Sequence, residues 1–103
     1  MLSLQDRLRV LVEFARGLGF TVDAVFDKRK QFAVFYLGKK VVGCVEAVSN
    51  SLIAEFYEVD TFTLDELDRI LKLVEKMREL GVRISPEMRF IKVRIDLAEA
   101  AQA

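Results

Sequence analysis

The sequence predicts an α+β fold, in which a helix, a four- to five-stranded antiparallel β-meander and a zipper-like second helix follow in the order α-β-β-β-β-α-β. Two segments place apolar residues at helical spacing, and four strand-like runs lie between them. The runs are joined by KRKQ, GKK and SNS, and connections this short favour antiparallel neighbours. Because the chain has 103 residues and no linker-like segment, we expect one domain over residues 1–103.

The first helix is predicted to begin at Ser3, whose hydroxyl can accept a hydrogen bond from a free backbone N–H of the first turn. Apolar side chains then recur at helical spacing as far as Leu18, and Gly17 and Gly19 offer a stop. Strands are predicted at residues 20–27, 32–37, 41–48 and 52–59, and a fifth, half-buried strand at residues 89–96.

The second helix has the clearest boundaries. Thr63 and Glu66 have the spacing of a capping box, and Gly81 lies where the helix should end. Two oppositely charged pairs at four-residue spacing support it, Asp65 with Arg69 and Asp68 with Lys72.

The strands at 32–37 and 41–48 are apolar on both faces, with Glu46 as the only polar interruption. A strand that faces water on one side alternates apolar and polar residues, whereas in FAVFYL both alternating sets are apolar. One interpretation places one helix on each face of the sheet. The other leaves part of one face for a partner subunit or a flat apolar ligand, because an uncovered apolar patch usually has a use.

The second helix also has two apolar flanks. One follows the 3–4–3 spacing of a coiled-coil seam and consists of Leu64, Leu67, Leu71 and Val74. The other consists of Ile70, Leu73, Met77 and Leu80. If one flank packs on the chain's own sheet, the other is left for another subunit, which predicts self-association as a homodimer or homotetramer. The alternative is a helix that is buried entirely within the chain.

Charge is sorted along the chain, although the net charge is zero. Residues 28–45 include five basic side chains and no acidic one, whereas residues 46–68 include seven acidic side chains and no basic one. The basic turns bracket an aromatic strand, and rings beside cations are what sequence-tolerant binding of single-stranded nucleic acid needs. The alternative is that these lysines only protect hairpin turns from aggregation.

No enzyme signature is present in the sequence. There is no His, no phosphate-binding or dinucleotide-binding glycine motif and no zinc pattern. The order of elements is found in restriction-endonuclease-like nucleases, and Asp23 or Asp27 could supply the acid, but Glu46 is followed by Val48 where those enzymes need Lys. We therefore expect no catalysis, no metal, no cofactor and no small-molecule substrate.

Composition predicts the cellular location and the source of the protein. The longest apolar run is too short to span a bilayer, no secretion signal is visible, and the single cysteine, Cys44, cannot form an internal disulfide. We expect a cytoplasmic protein that makes no membrane contact. Few amides and a balanced load of acidic and basic residues resemble thermophile usage, which favours a hyperthermophilic archaeal source.

Residues 3–80 resemble the ThermoDBP-related single-stranded DNA-binding proteins of hyperthermophilic archaea. The similar features are the opening helix SLQDRLRVLVEFARGLGF, the aromatic strands FAVFYLGKKVVGCVEAV and SLIAEFYEV, the basic turns, and the helix TLDELDRILKLVEKMREL. The resemblance implies an α+β fold outside the OB class that forms oligomers by helical packing and needs no cofactor. It implies phosphate contacts at Lys28, Arg29, Lys30, Lys39 and Lys40, and stacking on Phe35, Tyr36, Phe56 and Tyr57.

The leading hypothesis is a non-enzymatic homo-oligomer that binds single-stranded DNA, and RNA by the same contacts, with little sequence preference. The first alternative is an assembly module whose second sheet face binds only protein. The second is a catalytically degenerate endonuclease-like domain.

Overall fold

The structure, a computed structural model, describes residues 2–57 and 62–84. Its elements confirm the predicted α+β order and are α1 (Leu4–Gly17), β1 (Thr21–Phe26), β2 (Gln31–Leu37), β3 (Lys40–Val48), β4 (Ser51–Phe56), α2 (Leu64–Glu79) and β5 (Arg83–Ile84). The strand predicted at residues 89–96 lies outside the described residues.

Both helices begin where local hydrogen bonding predicts. The Ser3 hydroxyl accepts a hydrogen bond from the backbone N–H of Asp6 at 3.1 Å, which caps α1. At α2, the backbone N–H of Glu66 donates to the Thr63 hydroxyl at 3.0 Å, and the N–H of Thr63 donates to the Glu66 carboxylate at 2.9 Å. The capping box is therefore complete. The two predicted charged pairs of α2 also form, at 2.7 Å and 2.9 Å.

The strands lie in the order β1-β2-β3-β4-β5. The first four form the predicted antiparallel meander, but β5 pairs parallel to β4, so the sheet is mixed rather than wholly antiparallel. The reason is topological. A strand that returns to a sheet after a helical crossover runs parallel to the strand before that helix, and α2 separates β4 from β5.

Two-residue turns close the β2–β3 and β3–β4 hairpins. Gly38 and Ser49 take the first position of these turns with φ of 60° and 55°, the left-handed values that short hairpins require. Within the sheet, Gly43 lies so close to β4 that a Cβ atom there would overlap the carbonyl oxygen of Glu55. A glycine in β3 thus permits the close approach of β4.

Both helices pack on the same face of the sheet. Helix α1 contacts β1, β2, β4 and α2, and the buried side chains of both helices and of one sheet face form a single core. From the sheet, this core takes mainly Val22, Ala33, Phe35, Leu37, Val45, Leu52, Ala54 and Phe56. The interpretation that places one helix on each face is therefore wrong, and the described helices leave the opposite face uncovered.

Candidate nucleic-acid interface

The face of the sheet that the described helices leave uncovered consists of two cross-strand rows of side chains, and we call it the open face. Strand pairing aligns Val25, Phe32, Glu46 and Ile53 in one row, and Asp23, Val34, Cys44 and Glu55 in the other. Tyr36 lies on the same face as Phe32 and Val34, because every second side chain of β2 points to the same side of the sheet. All of these side chains are half-buried or exposed. The open face is thus apolar and aromatic at its centre, with carboxylates between the apolar groups.

A shallow depression of about 160 Å³ lies on the open face. It is lined by Lys30, Phe32, Val34, Cys44, Glu46 and Tyr57. Two aromatic rings, one carboxylate and one ammonium group therefore border an apolar floor. This combination fits a flat ligand that has an apolar face and polar edges.

Two hydrogen bonds, one from the backbone N–H and one from the hydroxyl, hold Tyr57 at this depression. Its backbone N–H donates to the carbonyl of Val42 at 2.8 Å, and its hydroxyl donates to Cys44 Sγ at 3.2 Å. The hydrogen bond to Cys44, followed by partial burial and by nearby negative charge that includes Glu55, raises the pKa of Tyr57 from 10.0 to about 12. The phenol therefore stays protonated at neutral pH, and its ring presents an uncharged surface.

A second, larger groove lies at the end of the sheet beside the start of α1. It has a volume of about 480 Å³. Its lining comes from Ser3, Leu4 and Gln5 of the helix start, from Lys28, Arg29, Lys30 and Gln31 of the β1–β2 connection, and from Ala47 and Ser49. Three cations and the positive end of the α1 dipole make this basic groove attractive to anions.

Lys30 connects the basic groove to the depression, because it lines both. Its Nζ atom lies 5.1 Å from the centre of the Phe32 ring, within the range of a cation–π contact. A positive charge therefore lies over a half-buried aromatic ring of the open face.

The structure brings together only part of the predicted basic set. Lys28, Arg29 and Lys30 lie at one end of β2, and Lys39 lies in the turn at the other end. Seven residues of strand separate these ends, which is about 20 Å. Lys40 belongs to neither group. It forms an ion pair with Glu66 at 2.7 Å and lies over the Phe62 ring at 5.6 Å, so its charge is already engaged.

The predicted aromatic set is divided between the two faces. Phe35 and Phe56 are 0% and 2% exposed beneath the helices, so neither ring can stack on a base, and their assignment to the site is wrong. Tyr36 is half-buried on the open face, and Tyr57 is 40% exposed. Phe32, which the predicted site omitted, lies on the open face. The alternation of β2 places Phe32 and Phe35 on opposite faces of the sheet, but the sequence does not show which face the helices cover.

The outer flank of α2 remains accessible in the monomer. Leu64 and Leu71 are 39% and 58% exposed, and Leu67 and Val74 are half-buried. The opposite flank, with Ile70, Leu73 and Met77, is buried in the core. Within the described residues, the seam predicted for oligomerisation thus faces outward at Leu64 and Leu71, whereas Val74 packs against the core.

Two further features bear on the expected chemistry. Within residues 2–57 and 62–84, the His, Cys, Asp and Glu side chains form no group of three or more that could bind a metal ion. In the same part of the chain, neither helix has the length and apolarity needed to cross a membrane.

No family model, no curated protein and no solved structure matches the chain.

Proposed function

We propose that this protein binds single-stranded DNA, with bases stacked on the open face and phosphates in the basic groove. The observation that supports this best is the position of Lys30, which lies over the Phe32 ring and lines both the depression and the basic groove. A nucleotide has the same two parts side by side, a flat base and a charged phosphate. Single-strand binding proteins combine aromatic platforms with a positively charged groove in this way.

The arrangement favours a single strand over a duplex. Bases of a duplex are stacked on one another, and only their edges are accessible. Phe32 and Tyr57 border a shallow depression on the sheet surface, so a base reaches their rings only when it is free of its own stack. Stacking on such rings contributes about 1–3 kcal/mol per base.

The acidic residues of the open face constrain the path of the strand. Asp23, Glu46 and Glu55 lie among the apolar side chains, and they repel phosphates from the middle of the sheet. The backbone of the strand therefore runs toward Lys28, Arg29 and Lys30 at the sheet end, while bases point inward over the open face.

Self-association is part of the proposal. The exposed leucines of the α2 seam can pack against a second copy, and each copy then presents its own open face. A homodimer or homotetramer built in this way binds a longer strand than one protomer does, and its affinity rises through multivalency.

Titration of a labelled strand of about 20 nucleotides, followed by fluorescence anisotropy beside the matching duplex at low and moderate salt, tests the proposal. We expect salt-sensitive binding to the single strand and much weaker binding to the duplex. Replacing Lys28, Arg29 and Lys30 together by Ala should weaken binding and reduce the salt slope by up to about 2, since each phosphate contact on a single strand contributes about 0.7.

Lys39→Ala is the matched control, because Lys39 is an exposed turn cation at the opposite end of β2. It should change binding much less than the triple variant does. Absence of any single-strand binding at low salt would refute the proposed function. The apolar open face would then favour the alternative in which this surface binds protein.

A further inference from the structure

We propose that the depression on the open face takes one guanine base, whose Watson–Crick edge is recognised by the Glu46 carboxylate. This inference rests on the proposed function and gives it a base preference at one position. Stacking and phosphate contacts still provide most of the affinity, and they are independent of sequence.

The size of the depression limits its occupant. Pockets for drug-sized ligands measure about 300–1,000 Å³, whereas this depression has about 160 Å³. It therefore fits one flat ring system better than a larger molecule. Val34 and Cys44 line it together with the Phe32 and Tyr57 rings, so a ring that enters meets mainly apolar and aromatic surface.

Glu46 supplies the polar edge of this depression. Its cross-strand partners are Phe32 on β2 and Ile53 on β4, so the carboxylate lies within the apolar row of the open face. Among the described residues, no ion pair or hydrogen bond engages its side chain. Lys30, the cation at the same depression, lies over Phe32 instead. Both carboxylate oxygens are thus available to a ligand.

An ionised carboxylate only accepts hydrogen bonds, and this property selects among the bases. Guanine presents two adjacent donors on its Watson–Crick edge, the ring N1–H and the exocyclic amino group, which match the two oxygens. Adenine and cytosine each place a ring-nitrogen acceptor beside their amino donor, and thymine places a carbonyl on each side of its single N–H. For these three bases one carboxylate oxygen faces an acceptor, which is repulsive.

Lys30 fixes the direction in which the nucleotide lies. It is shared between the depression and the basic groove, so a base in contact with Glu46 has its own phosphate near Lys28, Arg29 and Lys30. The neutral phenol of Tyr57, which donates a hydrogen bond to Cys44 Sγ, adds no negative charge near the carboxylate. One nucleotide can therefore satisfy all of these groups together.

The test compares thymine strands of about 20 nucleotides that contain separated guanines with the same strands in which each guanine is replaced by hypoxanthine, which lacks the exocyclic amino group. Separated guanines avoid strands that fold on themselves. We expect the guanine strand to bind about fivefold or more tightly than the hypoxanthine strand and than thymine alone, the size of one bidentate base contact.

Two variants assign this preference to Glu46. Glu46→Gln replaces one acceptor oxygen by a donor, so only one acceptor remains for the two guanine donors, and the preference for guanine over hypoxanthine should disappear. Glu55→Gln makes the same change of charge on the same face, at a residue that does not line the depression, and should leave the ratio unchanged. A ratio measured within one variant is independent of the general gain in affinity that follows the loss of a negative charge.

The outcomes separate this inference from the proposed function. If all three strands bind equally tightly to the unmodified protein, the proposed function stands and guanine recognition is refuted. If guanine is preferred but the ratio survives Glu46→Gln, the recognition site lies elsewhere and the inference is also refuted. If no strand binds at low salt, the proposed function fails together with it.

Discussion

The Nζ atom of Lys40 lies 2.7 Å from Oε1 of Glu66, and this ion pair joins the start of β3 to the first turn of α2. The same carboxylate oxygen accepts the backbone N–H of Thr63 at 2.9 Å. Glu66 thus closes the capping box and connects the helix to the sheet. Lys40, which is predicted to contact phosphate, thus also has a structural role.

This relationship makes stability depend on pH in a defined range. Burial raises the pKa of Glu66, but the hydrogen bonds from Lys40 and Thr63 outweigh burial and hold that pKa below its ordinary 4.5. A lowered folded-state pKa contributes stability above the unfolded pKa, and the contribution disappears as pH falls through the folded pKa. Glu66→Gln should therefore lower the free energy of unfolding by about 1 kcal/mol at neutral pH.

Denaturant unfolding at several pH values measures this difference, which should decrease as pH falls below 4.5 and vanish once pH is below the folded-state pKa of Glu66. Asp68→Asn is the control, because Asp68 forms an exposed pair with Lys72 in which both side chains are more than half exposed. Exposed pairs contribute about 0–1 kcal/mol. If Glu66→Gln lowered the free energy of unfolding by the same amount at every pH, the proposed coupling to the ion pair would be contradicted.

Gly43 tests the close approach of β3 and β4. Gly43→Ala places a Cβ atom against the carbonyl oxygen of Glu55 and close to Phe56, where backbone rather than a flexible side chain must move. We expect a loss of about 1–3 kcal/mol in the free energy of unfolding, the usual cost of overpacking. Gly17→Ala is the control, because open space surrounds that position at the end of α1. It should be neutral or stabilising by up to about 1 kcal/mol.

Local interactions explain which parts of the fold could be predicted from the sequence. The cap at Ser3, the capping box at Thr63 and the charged pairs of α2 all join residues three or four positions apart, so their spacing is visible in the chain. The positive φ at Gly38 fits a two-residue hairpin in the same way. Such features depend little on the rest of the molecule.

Non-local packing explains why the face of Phe35 and the contacts of Lys40 could not be predicted from the sequence. Both faces of β2 are apolar, so alternation separates Phe32 from Phe35 but does not reveal which of them the helices cover. The ion pair of Lys40 with Glu66 joins residues that are 26 positions apart, and spacing along the chain contains no sign of it. The basic residues at the two ends of β2 lie close together in the sequence, whereas the extended strand separates them in the fold.

The two faces of the sheet predict opposite effects for two phenylalanines. Phe32→Leu removes a ring from the open face and keeps an apolar side chain, so it should weaken single-strand binding by about 1–3 kcal/mol and change stability little. Phe56→Leu removes a buried ring, so it should lower the free energy of unfolding by about 1–3 kcal/mol and leave the affinity of the folded protein unchanged. Anisotropy and denaturant unfolding on both variants measure these effects. Equal losses of affinity would contradict a site confined to the open face.

The seam of α2 predicts how the protein associates. Leu71 is 58% exposed, the largest value for a large apolar side chain within residues 2–57 and 62–84, so Leu71→Lys should change the free energy of unfolding by no more than about 0.5 kcal/mol. If subunits pack through this seam, a lysine there places two charges in a desolvated interface, and the mass in solution should fall to that of the monomer.

Sedimentation equilibrium of Leu71→Lys beside Val48→Lys measures this mass. Val48 is 45% exposed on β3, so it controls for the loss of any exposed apolar group. Dissociation by Val48→Lys and not by Leu71→Lys would assign the interface to the sheet, where it would compete with the strand for the open face.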